Sequence, residues 1–439
     1  MKKYVKYIII FIAIVSFNLF VYPLDLDEIW CYGFSHNIYS GLIPYKDFNM
    51  IVTPFYAFLI SIPFHLFGSN ILVFHVFQAF LLTLGFKFLF DLIGRKTWIL
   101  FLFIFIPITN FFPGYNLFLF FLLIILIWLE EKSNYKYKDY IIGTIIGISI
   151  LTKQSVGVFF IIPSLFYIKD KKRIIKRMIC AFIPCFIFLI YLILTRSLSN
   201  FIDLCFLGLF DFTTENGRTF TLGFYLTVIL FILTIYFMIK DKKKIIYCYT
   251  LCFYSMAIPL FDAKHFGLVF LIFLFNIFYC KDIKINISYE LFALCSLLGV
   301  SILICFFYYK FDISYPNNIS KFEYRLIEKN NISITLDVSS YIKNNKDKEF
   351  MFLDINGYYF KLINDIPITY LDMFNKGNFG YNGSEKMLNR VKNSKNTLFF
   401  VDSHELLRGN QSDKKVIKYV IKHGKKIDSV SVYDVYILN

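Results

Sequence analysis

Long apolar runs separated by short charged loops fill the first 310 or so residues. Apolar segments lie at about 4–24, 54–68, 70–93, 97–109, 114–129, 140–152, 155–168, 174–195, 220–239, 245–260, 265–280 and 288–309. A straight helix needs roughly twenty residues to cross a hydrocarbon core, so the shorter runs predict tilted, paired or broken helices. The pattern as a whole predicts an α-helical polytopic membrane protein of about 11–13 spans. Near Asp312 it changes abruptly to Lys, Asn, Asp and Ser, with no span-length apolar run after residue 309. Glu349–Asp354, Thr397–Asp402 and Val430–Ile437 alternate or cluster β-formers and read as strands. Residues 335–345, 384–394 and 413–423 read as helices, which together make a small soluble α/β layer. The chain therefore divides into a transmembrane domain, 1–311, and a soluble domain, 312–439. Asp354 and Asp402 end strands, but no Gly-rich phosphate loop follows either, and turn capping accounts for them.

Charge orients the spans. Basic residues cluster between apolar runs, at Lys2, Lys3 and Lys6, in the lysines of 132–138, from Lys169 to Arg177 and from Lys240 to Lys244. Such clusters mark cytoplasmic loops. They put the N-terminus in the cytoplasm and the segment 25–53, the loop 196–219, the Lys153-Gln154 turn, the junction at 262–265 and the C-terminal domain outside. Five apolar segments precede the basic loop at 130–139, whereas a cytoplasmic loop there needs an even number of crossings. Either one segment between 54 and 129 does not cross, or a crossing is hidden.

Composition supports this reading. The chain is 57% hydrophobic with 56 Phe and 32 Tyr, too apolar for a soluble protein of 439 residues. Its net charge of +15 is accounted for by orientation and anionic lipid rather than nucleic acid, because the cations sit between spans. The first apolar run is long and no small-residue cleavage site precedes Asp25, so it reads as an uncleaved span. The nine cysteines show no metal-type spacing. Six lie within or beside apolar runs, and Cys248 and Cys252, one helical turn apart, read as packed thiols.

One segment is out of character. Between two apolar runs, Asp25, Asp27, Glu28 and Asp47 set four carboxylates against Lys46, which no bilayer core tolerates. Trp30, Phe34 and Ile38 recur every fourth residue, and Ser40-Gly41 precedes Pro44. This predicts a helix over 28–40, lying on the membrane surface with Asp27 at its N-cap. Capping alone would explain the acids. The alternative is that a carboxylate fixed beside the membrane serves as general base for an acceptor hydroxyl. Further polar candidates lie on the same predicted side. Lys153 and Gln154 form either a snorkelling hairpin tip or a donor to a lipid phosphate or sugar. Asp262 and His265 are either a helix cap or a substrate contact. Arg218 carries a guanidinium suited to phosphate.

Asp27-Glu28 directly after the first span, the short helix, Gly41-Leu-Ile-Pro-Tyr-Lys-Asp-Phe48 and Thr53-Pro54 opening the next apolar run resemble the first outer loop of GT-C glycosyltransferases of the protein mannosyltransferase and aminoarabinose transferase type. The resemblance covers roughly the first hundred residues and elsewhere only the layout. It implies that Asp27 is the catalytic acidic position, Glu28 its neighbour and Asp47 a second acid, with Lys46 beside it as a phosphate partner. It also implies a polyprenyl-phosphate-linked sugar as donor and transfer to an acceptor hydroxyl at the outer face. One base acting alone would give inversion, with Lys46, Lys153 or Arg218 as partners for the leaving phosphate. Related transferases work with or without a divalent cation, so no metal is assigned. The alternative function is a lipid-linked saccharide or small-molecule transporter. Internal repeats and mid-span charges would mark one, and here the polar candidates gather near span ends.

Overall fold

A computed structural model of the chain describes residues 2–20, 24, 26–105, 114–217, 220–280, 313–316, 319, 321–369, 372–374, 377–402 and 413–438. The helices come in the order α1 (Lys2–Phe20), α2 (Leu26–Tyr39), α3 (Phe55–Phe67), α4 (Ile71–Ile93), α5 (Thr97–Phe105), α6 (Tyr115–Glu131) and α7 (Lys138–Thr152). They continue through α8 (Gln154–Gly157), α9 (Ile162–Tyr167), α10 (Lys171–Leu194), α11 (Leu198–Ile202), α12 (Gly208–Asn216), α13 (Leu222–Lys240), α14 (Lys244–Phe253) and α15 (Ala263–Cys280). Among the described residues, four stretches are long and apolar enough to cross a membrane: Ile71–Ile104, Lys171–Leu194, Leu222–Lys240 and Ala263–Cys280. The first is not one straight helix. Gly94, at φ +59°, reverses the chain, and the rings of Phe86 and Phe101 meet at 5.5 Å, as do those of Phe90 and Trp98 at 5.4 Å. A straight helix would hold Phe86 and Phe101 about 22 Å apart. Thus α4 and α5 are antiparallel neighbours.

The long helices run between two poles. At one, Lys6 lies 4.0 Å over the Phe90 ring, Lys96 donates to Phe278 O, and Arg177, 1% exposed, is gripped by Glu130 and Asp139. Arg173 adds a second bond to Asp139 at 2.9 Å. These basic residues belong to the predicted cytoplasmic clusters or adjoin them. At the opposite pole lie both ends of α3. Thr53 before it donates to Gln154 (3.2 Å), and Ser69 after it accepts from Tyr32 (2.6 Å). A helix with both ends at one pole does not run from pole to pole, so α3 fits the first of the two alternatives left by the sequence, a segment between 54 and 129 that does not cross.

Close packing of α7 on α10 depends on two glycines four residues apart. A Cβ on Gly143 would sit 2.4 Å from Arg177 O, and one on Gly147 2.4 Å from Ala181 O. Without side chains at these positions the two backbones approach directly, the small-residue contact used where lipid leaves no hydrophobic driving force between helices.

The C-terminal part carries an antiparallel pair, β1 (Ile313–Ser314) with β2 (Ile327–Glu328), and a four-stranded sheet. In that sheet β3 (Glu349–Phe352) is parallel to β4 (Thr397–Asp402). The next strand, β6 (Tyr433–Leu438), is antiparallel to both β4 and the outer β5 (Gly424–Val430), giving the order β3-β4-β6-β5. Four helices accompany it: α16 (Lys329–Asn344), α17 (Gly357–Ile363), α18 (Gly383–Asn393) and α19 (Lys414–His423). The three predicted strands and three predicted helices are present; β1, β2, β5 and α17 are additions. Asp354 is fully buried and accepts from the Asn356 backbone (3.1 Å) and the Tyr433 hydroxyl, which makes it a turn cap.

This sheet layer is not a free appendage. A single hydrophobic cluster runs from Tyr32, Phe34 and Phe48 to Phe322, Tyr358 and Phe400. Gly33 of α2 meets Tyr358 so closely that a Cβ would lie 2.1 Å from its ring. Consequently α2 does not lie open on a membrane surface. Its residues Ile29, Cys31, Tyr32, Phe34, Ser35 and Asn37 are all buried, on every side of the helix. The C-terminal layer covers the face that the sequence pattern left polar.

Candidate functional site

Helix α2 opens at Leu26, so Asp27 sits inside its first turn and not at the N-cap the sequence suggested. Its carboxylate is half exposed and accepts a hydrogen bond from Lys264 Nζ at 2.9 Å. Lys264 stands in the first turn of α15, beside Asp262. Asp262 accepts from both the backbone and the ring of His265, each at 2.8 Å, and so caps that helix. Burial pushes the Asp262 carboxyl upward, but the bonds and charge of His265, with Lys264, outweigh it and hold the group at about 2. Across from this pair, Lys153 ends α7 at a break before α8. Its ammonium donates to Asn116 Oδ1 (3.0 Å), contacts Met256 Sδ (3.3 Å) and lies 5.7 Å from the Tyr115 ring centre. The charges of Asp262 and Asp27 both reach Lys153 and Tyr115. One cluster at one pole therefore contains Asp27, Lys264, Asp262, His265 and Lys153, drawn from α2, α15 and the α7–α8 break.

The remaining sequence candidates lie elsewhere in the architecture. Glu28, next to Asp27, turns inward and is 1% exposed. Arg325 grips it with two bonds of 2.7 Å, and His75 Nε2 approaches at 2.8 Å. From His75 the chain of bonds continues to Gln78 (3.1 Å) and Tyr56 (2.8 Å). Burial alone would raise the Glu28 carboxyl; the charges and bonds of Arg325 and His75 reverse this and bring it to about 2. Asp47 accepts from Ile43 N at 2.7 Å and closes the turn Ile43–Phe48, whose tip carries the exposed Lys46. No described contact joins that turn to the Asp27 cluster. Gln154 is committed to backbone: it accepts from Thr53 N and donates to Ile51 O and Cys205 O, both at 3.1 Å. It thereby ties the acidic loop to the 196–217 segment. Arg218 lies outside the described residues.

Tyr115, Asn116 and Arg325 were not singled out in the sequence. Lys264 was placed in the outer junction at 262–265 but given no role; its position between Asp262 and His265 was the available signal. Arg325 carried none, since it lies 297 positions from its partner. Among the described residues no group of three His, Cys, Asp or Glu side chains converges as a metal site.

No protein-family model and no curated protein sequence matches the chain. Solved structures do. The crystal structure of ArnT from Cupriavidus metallidurans bound to undecaprenyl phosphate superposes with a TM-score of 0.58 at 10% identity, covering 99% of this chain and 98% of that one. The same protein in its apo state gives 0.56 over the same coverage. At this identity the likeness establishes the fold alone: the helices and the C-terminal layer together follow the architecture of ArnT over nearly the whole length of both chains.

Proposed function

We propose that this chain is a membrane glycosyltransferase that moves a sugar from a polyprenyl-phosphate donor to an acceptor hydroxyl, with Asp27 as general base. The observation that carries the reading is the Asp27 cluster at one pole of a fold shared over its whole length with a protein solved with undecaprenyl phosphate. Asp27 is half exposed, so a hydroxyl can reach it, and Lys264 fixes its orientation. In the transfer, the acceptor oxygen forms a bond to the anomeric carbon while the bond from that carbon to the lipid phosphate oxygen breaks. The acceptor proton passes to Asp27, and the departing phosphate carries away the electron pair. Lys153, the cation facing the same cluster, compensates the charge that grows on the leaving phosphate. A single displacement of this kind inverts the anomeric centre. The fold's pole with the basic clusters faces the cytoplasm, and the Asp27 pole with the C-terminal layer faces outward. Glu28, Gln154 and Asp47 act on this reading as positioning residues, because each is committed to the scaffold holding α2 and its loop.

Asp27→Asn is the test. Its ion pair is solvent-exposed and worth little to stability, so the variant should fold with an unchanged Tm. Transfer from a polyprenyl-phosphate sugar by the purified protein should fall by roughly 10² to 10⁴, the usual worth of a positioned base. Full transfer by a well-folded Asp27→Asn protein would remove Asp27 from the chemistry.

A further inference from the structure

A cleft of about 800 Å³ opens in the C-terminal layer, away from the Asp27 cluster, between α16, β3 and the loop that follows α17. Its construction is specific. The loop is pinned from beneath by Lys361 and Asp372, both at most 5% exposed and paired at 2.7 Å, and Thr369 Oγ1 donates to the same carboxylate at 2.9 Å. One wall is β3, the terminal strand of its sheet. Its outer edge carries peptide N–H and C=O groups with no strand beside them among the described residues, which suits hydroxyl-rich ligands. The opposite wall offers the hydroxyls of Ser339 and Ser340 from α16.

The charge on the cleft is unbalanced. Of its two acids, Asp365 is neutralised by Lys321, and Glu349 accepts from Thr397 at 3.3 Å. Of its cations, Lys361 is spent on Asp372 and Lys348 faces Asp347 at 3.4 Å. Lys343, Lys346 and Arg390 line the same cleft, are exposed, and form no ion pair among the described residues. Lysines dispersed on a solvated face repel one another and spread; three cations around one concave, hydroxyl-lined cleft concentrate a positive field where a ligand can lie.

From this we infer that the cleft binds an anionic saccharide, one bearing phosphate or carboxylate groups: the cations take the charges, and the β3 edge with Ser339 and Ser340 takes the sugar hydroxyls. Its link to transfer, as a docking site for an acceptor glycan, rests on the proposed function; binding itself does not. The helix leading into the cleft, α17, also packs on α2 through Tyr358, which accepts from Asn37 at 2.8 Å. The cleft wall and the helix bearing Asp27 are thus mechanically joined.

The test uses the full chain in nanodiscs of uncharged phosphatidylcholine, titrated calorimetrically with a galacturonate tetrasaccharide, a phosphorylated mannose oligosaccharide and uncharged galactotetraose. At least one anionic probe should bind and the neutral one should not, with affinity falling as salt rises. The triple variant Lys343→Ala, Lys346→Ala, Arg390→Ala should lose affinity by about tenfold or more. The exposed pair Lys414→Ala, Lys418→Ala on α19 should leave it unchanged. Asp27→Asn should bind like the parent, which separates failure here from failure of the transferase reading. Equal binding of neutral and charged probes, equal losses in both sets of lysine variants, or no binding of any probe would overturn the inference. So would binding of phosphatidylglycerol vesicles that the triple variant alone abolishes, without glycan binding, since the cleft would then be a membrane contact.

Discussion

Replacing Arg325 by Leu leaves Glu28 buried, charged and held only by His75. The structure gives two independent routes to the cost. Glu28 is held at about 2 against 4.5 for a free glutamate, which corresponds to roughly 3 kcal/mol of stability at neutral pH. The sign follows from the depressed value: this contribution is present above the unfolded-state value near 4.5 and is lost as pH falls toward 2. Breaking a buried pair by removing one partner costs about 3–5 kcal/mol, in agreement. For a domain of ordinary stability such a loss is a large fraction of the total, and Tm should drop by roughly 5–10 °C. Because Arg325 reaches from the C-terminal layer to α2, that layer should also become sensitive to limited proteolysis near residue 329. Adding Glu28→Leu should restore much of the loss, as an apolar pair of similar volume removes the stranded charge. Thermal melts of the purified protein at pH 7 and pH 5, with transfer measured per folded molecule, provide the assay. An Arg325→Leu protein with unchanged Tm and proteolysis would refute the role of the pair. A well-folded double variant that had lost transfer would show that Glu28 acts in the chemistry and not only in the scaffold.

The remaining predictions concern packing and sidedness. Gly147→Leu should destabilise the protein by roughly 1–3 kcal/mol or more, because its side chain would collide with Ala181 O and Pro184; a melt at the parental Tm would show that α7 and α10 can separate without cost. In a background without the native cysteines, Lys46→Cys and Lys418→Cys should react with an impermeant thiol reagent in intact cells, and Lys136→Cys only after permeabilisation; the reverse pattern would invert the proposed orientation.

Much of the architecture was legible in the chain because a bilayer imposes its demands locally. Apolar runs must be helical where no water can satisfy the backbone, basic clusters gather at one pole of the helices, and the loss of apolar runs after residue 309 set apart the stretch that carries the four-stranded sheet. For the same reason the acidic segment after α1 stood out, and with it Asp27, Asp262, His265 and Lys153, each a polar group beside an apolar run. Two expectations failed for a common cause. The polar side of α2 looked solvent-facing, and Glu28 was grouped with Asp27 as its neighbour in the site, since a sequence window cannot show that α17 and Arg325 fold back over that helix from some 300 residues away. Adjacent residues on a helix point about 100° apart, so once the C-terminal layer covers one face, Asp27 keeps access to solvent while Glu28 loses it. Composition had supplied two carboxylates side by side; only the tertiary contact separated a reachable acid from a structural one. The same holds for α3, whose apolar length resembles a crossing until Gln154 and Tyr32 place both of its ends at one pole. Hydropathy records which segments avoid water, whereas where each one ends is decided by long-range hydrogen bonds.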